Sequence, residues 1–433
     1  MWVLIALVGL VLVMSRWARV EARASGNRLS AAEAALAARA GEQYALSMVA
    51  AAAGDATFAE QNLPEQVPVG AGWFWIVLPD RQNDRVQDFG VEDEGSRLNL
   101  NTAPATQLLM LPGMTPDVAD AIVDWRDQDD TPSPYGAESA YYGSVQPPYR
   151  AKNGPFETVE ELLLVKGVTP ELLYGMDANH NGMLDEEEEA ATGGTVSRSN
   201  EANDTSRGWL PFLSTTGPGN AAAGGGGQQL TNVNGNQQPV LEVLRQSITD
   251  QNRLTEIANR LAGGRPFRNM VDFYVKTQMK PEEFALVAAR LTVAGGAANN
   301  ARVNINTAPR EVLRCLNGLE DADALALVSA REGGADTTNL AWVADAIDKT
   351  KAVAIGDQIT ATSYRFSADV IGVSADGRAY HRVRVMIDGS RATPAVVYRR
   401  DLTDTGWSLG WDVREAIRSG VFADTGSAVV AAR

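Results

Sequence analysis

The sequence predicts an α+β protein: a long N-terminal helix, an antiparallel β-sheet, and a large all-α domain placed between the first strand and the last ones. Three observations predict it. Residues 16–53 are rich in Ala, Glu and Arg and nearly free of Gly and Pro, the texture of a continuous helix. GWFWIVLPD (72–80) is aromatic and β-branched, and SYRFSADVIGV and RAYHRVRVMID flank SADG near the C-terminus, a hairpin signal, with AVVYRRDL able to add a strand. From Arg97 to about 353 the texture is short helices and loops, broken by a Gly- and Asn-rich stretch.

The elements run in this order. Residues 1–54 form the N-terminal helix and 55–96 the first part of the sheet region. Residues 97–192 are the first half of the α-domain, 193–238 a linker with nothing to bury, and 239–356 the second half. Residues 357–433 hold the C-terminal strands. The helix opens with WVLIALVGLVLVM, 13 apolar residues in a row. A full membrane span needs about 20, so the run is short. Arg16, Arg19 and Arg23 follow it and nothing basic precedes it. Read literally, the positive-inside rule then places the rest of the chain in the cytoplasm. The apolar run and the helix after it are expected to be one element, half in lipid and half out.

RLNLNTAP (97–104) returns as RVNINTAP (302–309), and PFETVEELLLVKGVTPE (155–171) is echoed by PFRNMVDFYVKTQMKPE (266–282). The α-domain is therefore read as a duplicated unit. Asn101 and Thr102 are expected to cap the following helix, with Pro104 in its first turn. Gly113 permits a tight turn and Pro116 starts the next helix, a helix-hairpin-helix-like pattern.

Composition excludes several functions. The net charge of the 433 residues is −16, and the helix after the first hairpin carries Asp117, Asp120, Asp124, Asp127, Asp129 and Asp130 against Arg126. Such a surface repels a phosphate backbone, so no nucleic acid is expected. Cys315 is the single cysteine, which excludes an internal disulfide. The two histidines, His180 and His381, have no nucleophile beside them in sequence, which argues against a His-dependent hydrolase.

Two stretches point to calcium. In DANHNGMLDEEE, Asp177, Asn179 and Asn181 occupy positions 1, 3 and 5, Gly182 position 6, Met183 (by its carbonyl) position 7, Asp185 position 9 and Glu188 position 12. That pattern wraps hard oxygens around one cation. His180, at position 4, is read as surface. The helices flanking this loop are too short for a sensor that opens a groove, so the loop reads as a structural clasp. The second stretch, WRDQDDTPSPYGAESAYYG, crowds Asp127, Asp129, Asp130 and Glu138 onto a turn-rich segment, a candidate second calcium site or a solvated helix end.

The order of these passages resembles one family, the minor pseudopilin K of type II secretion systems (general secretion pathway protein K). The resemblance is carried by RVEARASGNR, EDEGSRLNLNTAP, AIVDWRDQDD, GAESAYYG, PPYRAKNGPFETVEELLLVKGVTPELLYG and VNINTAPREVL. It implies a pilin-like long helix on an antiparallel sheet with the α-domain inserted in it. It also implies a non-enzymatic role at the tip of a periplasmic pseudopilus, in a complex with other minor pseudopilins and with no small-molecule substrate. Calcium in the globular part is part of the implication, carried onto Asp127, Asp129, Asp130 and Glu138. The implied location is the bacterial inner membrane, single-pass, with the globular part in the periplasm. Two departures stand out. The family's basic leader and its peptidase-site Gly are missing before MWVLIAL, which implies a start further upstream. The 177–188 loop and the Gly-rich stretch after it read as an insertion. The alternative class is a membrane-anchored, competence-type DNA receptor, whose hairpins should be basic.

Overall fold

The computed structural model describes residues 1–61, 65–79, 87–178, 206–219, 230–293, 301–391, 393–409 and 411–419, with positions 180, 184 and 188. Helix α1 (Trp2–Ala52) is one continuous element and stops where Ala53 turns left-handed at φ 51°. A short helix, α2 (Ala56–Gln61), follows. The sheet is built from β1 (Val67–Val69), β2 (Gly72–Pro79), β3 (Gln87–Phe89) and β4 (Glu92–Asp93) before the α-domain. It is completed by β11 (Arg365–Val373), β12 (Tyr380–Asp388) and β13 (Ala395–Asp401) after it. The order is β1-β2-β11-β12-β13, all antiparallel, with β3 also on β2 and β4 also on β11. The first strand and the three late strands fall where the sequence predicts them, and Gly377 makes the SADG turn at φ 62°.

The sheet has two different faces. One receives the second half of α1. Ala38, Ala45 and Val49 pack on Phe74, Ile76, Phe366, Val370 and Val385. Alanines on the helix let it lie close to the strands. At Gly372 the approach is closest: a Cβ there would stand 2.2 Å from the Ala34 carbonyl oxygen, so only glycine fits. The first turns of α1 stand clear, with Trp2, Val11, Leu12 and Trp17 exposed. The other face buries Trp75, Val77, Ile371 and Val373 under Trp407, Leu409 and Ile417.

The α-domain leaves the sheet after β4 and returns before β11, and its core is separate from those of the sheet. It holds three copies of one unit, one more than the sequence reading counts. Each copy begins and ends with a short parallel strand pair: β5 (Leu98–Asn99) with β6 (Leu213–Ser214), β7 (Thr231–Asn232) with β8 (Leu291–Thr292), and β9 (Val303–Asn304) with β10 (Ile359–Thr360). Each opens on an Asn-x-Asn. The first Asn accepts from the backbone N–H of the second, at 2.9 Å (Asn99), 2.9 Å (Asn232) and 3.1 Å (Asn304). The second Asn then clamps a distant backbone. Asn101 bonds both ways with Phe156, Asn234 both ways with Phe267, and Asn306 donates to the Thr337 carbonyl. Copies one and three add an arginine, Arg126 on the Leu100 and Ala103 carbonyls and Arg331 on those of Ile305 and Ala308.

Two local expectations change. Helix α3 (Ala105–Leu108) has Pro104 at its N-cap and no side-chain cap; Asn101 holds Phe156 and the Thr215 carbonyl instead. The stretch 193–238 is not all linker. Trp209, Phe212, Leu213 and Val233 within it are buried in the α-domain core, so large apolar side chains anchor its described parts.

The ends of the insertion meet. Asp93, fully buried, accepts from the Thr307 hydroxyl (2.5 Å), the Asn304 amide (2.8 Å) and the Gly95 N–H (2.7 Å). Burial nevertheless pushes its pKa up. Asn304 also donates to the Ser363 hydroxyl at 3.2 Å. This polar knot ties the sheet edge at β4 to the third unit.

Candidate metal centre

Helix α4 (Pro116–Arg126) starts on Pro116, after Gly113 turns the chain at φ 69°. Its apolar side, Val118, Ala119, Ile122 and Trp125, is buried in the α-domain core. Asp124 is also on a buried position, 0% exposed. Asp127 sits at the C-cap, one turn on. The chain then loops back so that Glu138, 3% exposed, sits at the N-cap position of the short helix α5 (Ser139–Tyr142) without a side-chain capping bond. One carboxylate oxygen from each of Asp124, Asp127 and Glu138 lies within 4.8 Å of the others.

The loop is held in place around this point. Lys166 donates to the Tyr135 and Gly136 carbonyls at 3.0 and 3.1 Å. Trp125 packs edge-on against Tyr142, ring centroids 5.1 Å apart. Ser133 donates to Asp124 from its hydroxyl, at 2.6 Å, and from its backbone N–H. Gly136 has no room for a side chain: a Cβ would stand 1.8 Å from Asp124 Oδ2.

Like charges this close need a balancing cation. The local cations serve elsewhere: Arg126 bonds the Leu100 and Ala103 carbonyls, and Lys152 pairs with Glu161. Both Glu138 oxygens and Asp127 Oδ1 are buried without a hydrogen-bond partner. Burial, then repulsion from Asp124, Asp127, Asp130 and Asp129, pushes the Glu138 pKa to about 7. Asp127 is raised for the same kinds of reason, burial first and Asp129 second. Buried, unpartnered carboxylate oxygens are costly. An all-oxygen donor set with two neighbouring carboxylates fits a hard divalent cation of the calcium type.

The structure brings together Asp127 and Glu138 of the sequence-predicted set and adds Asp124. Asp129 and Asp130 stay beside the cluster. Asp129 accepts from the Thr131 N–H at 2.8 Å, and Asp130 from the Ser139 N–H at 3.2 Å, which holds the Asp130 pKa down. The signal for Asp124 is its spacing: three residues before Asp127, it shares a helix face with it. In the other stretch, Asp177 is buried, His180 is exposed and stacks on Tyr174 at 3.6 Å, and Leu184 is buried. Glu188 is half-buried. Asn179, Asn181, Met183 and Asp185 lie outside the described residues.

Two family models match this sequence. The first-domain model of type II secretion system protein K covers residues 86–176, which include the acidic loop, and a second protein K model covers 303–361, the third repeat unit. Both matched segments read as domains of type II secretion system protein K. The matched segments are the larger part of the first unit and the last unit, and the middle one lies between them. A chain of the GspK-GspI-GspJ complex from the enterotoxigenic Escherichia coli type 2 secretion system is similar over 88% of this chain and 99% of its own, at 13% identity and a TM-score of 0.38. No curated protein matches. Among the described residues no helix is long and apolar enough to cross a membrane.

Proposed function

We propose that this chain is a protein K, a non-enzymatic subunit that caps a periplasmic pseudopilus, in a tip complex with other minor pseudopilins. The single observation that supports this is the insertion. A pilin-like helix and sheet carry, on one edge, a three-unit α-domain with its own core. A subunit that bulky leaves little room for another to stack above it. The exposed first turns of α1 (Trp2, Val11, Leu12, Trp17) then serve as the packing surface against neighbouring subunits' helices, and as an inner-membrane anchor before assembly. The globular part lies in the periplasm on this reading.

Calcium is proposed as the structural cation of the α-domain. Asp124, Asp127 and Glu138 would hold it in the first unit, and the 177–188 loop would hold another through Asp177, Asn179, Asn181, Met183, Asp185 and Glu188. The ion supplies charge balance for buried carboxylates and no chemistry of its own.

The test is excision of the insertion, residues 97–362, with a short Gly-Ser bridge. The shortened subunit is expected to enter pseudopili without capping them, giving overlong filaments and lost secretion. Pseudopili of ordinary length with full secretion would contradict the proposal.

A further inference from the structure

A second polar site lies on the side of the sheet away from α1, where the first helical unit faces β12 and β13. A cleft opens there. Five arginines line it: Arg97 and Arg207 from the α-domain side, Arg382 and Arg384 from β12, and Arg400 from β13. Glu160 and Asp177 are the carboxylates in the lining. The other acids that serve these arginines, Glu92, Glu94 and Asp369, stand behind the lining.

The sheet register sets two of these arginines directly against each other. Arg384 and Arg400 are direct cross-strand partners, and like charges placed opposite one another destabilise a sheet pair. Arg384 has Asp369 as its other neighbour, in register on β11. That carboxylate, however, already takes Nε and Nη2 of Arg382, at 3.0 and 2.6 Å, and reaches Arg384 Nη2 only at 3.4 Å. Arg400 gives Nη1 to Glu160 at 2.5 Å and keeps its other donors. Arg97 is 8% exposed, and its Nε has no hydrogen-bond partner. Guanidinium groups lining one cleft match a doubly charged oxyanion.

We propose that this cleft binds a small dianionic oxyanion, a phosphate-like group or a pair of carboxylates, through Arg384 and Arg400 with Arg97 on the opposite wall. The anion relieves the Arg384–Arg400 opposition and ties the first helical unit to the sheet. The inference is independent of the Asp124–Asp127–Glu138 site and of the tip assignment, while Asp177 of the 177–188 loop lines the same cleft.

Isothermal titration of the full chain with sulfate, and separately with malonate, tests it at constant ionic strength set by chloride. One saturable site is expected. Preference for sulfate assigns a phosphate-like ligand, preference for malonate a dicarboxylate, and equal affinity a site that reads charge alone. Arg384→Gln and Arg400→Gln should each weaken binding by about tenfold or more, the value of a charge-assisted contact. Arg399→Gln, whose side chain pairs with Glu42, should leave it unchanged. Arg400 is partly exposed, so its variant is expected to keep the wild-type melting temperature without anion, which separates lost binding from misfolding. No saturable heat with either anion, or wild-type affinity in both cleft variants, overturns the proposal.

Discussion

Glu138 is the residue on which the acidic loop turns. Its carboxylate is buried, has no hydrogen-bond donor and feels four aspartates. Glu138→Gln removes one of the like charges, so in calcium-free buffer the variant should be at least as stable as wild type in a thermal melt. With millimolar calcium the order should reverse, because the variant has lost a ligand. A wild-type calcium response in Glu138→Gln would remove the acidic loop from the calcium account. The pH dependence has a definite sign. The folded-state pKa of Glu138 is about 7, above the ordinary value of 4.5, so the calcium-free native state holds this proton more tightly than the unfolded chain does. The group's contribution to stability is therefore full below about pH 4.5 and is lost as pH rises through 7. Melting temperature without calcium should fall across that window, and less in Glu138→Gln than in wild type.

At the scale of elements, the helix–sheet contact and the three Asn clamps carry the fold. Gly372→Ala places a methyl against the backbone of α1 at Ala34 and Ala38. The helix must shift, so a loss of about 2–4 kcal/mol in chemical denaturation is expected. Asn234→Ala removes two backbone contacts of the middle unit, to Phe267 N–H and carbonyl, and should cost about 2–3 kcal/mol. Asn101→Ala should cost at least as much, since Asn101 also holds the Thr215 carbonyl. An unchanged denaturation midpoint in both asparagine variants would deny the clamps their role.

The strands and α1 were legible because their apolar patterns are long and regular. The middle repeat was not, because its first turn reads TNVNGNQQP and lacks the Thr-Ala-Pro wording of the others. What the copies share is the pair of asparagines, and two residues make a weak sequence signal. The buried part of 193–238 was missed for a related reason. Trp209 and Phe212 sit alone in a polar stretch, with no periodicity to mark them as core. Asp124 was legible as an acid but not as a ligand, since its partner Glu138 comes from a loop whose return path only the fold supplies.

For the whole molecule, the insertion is a separable body on a pilin-like base. Its ends lie side by side: a Cβ on Gly95 would stand 2.4 Å from the Ser363 hydroxyl. The shortened chain should therefore fold, with a cooperative melt and a β-rich circular dichroism spectrum. Its buried liabilities are Asp93, which loses Asn304 and Thr307, and Glu94, which loses Ser214 and Arg97; Asp93→Asn in the shortened chain is expected to recover part of the stability. The position of the subunit in the filament is the central claim, and immunogold labelling of pseudopili carrying an epitope-tagged chain tests it most directly. The account predicts gold at one end of each filament. Gold distributed along the shaft would contradict it.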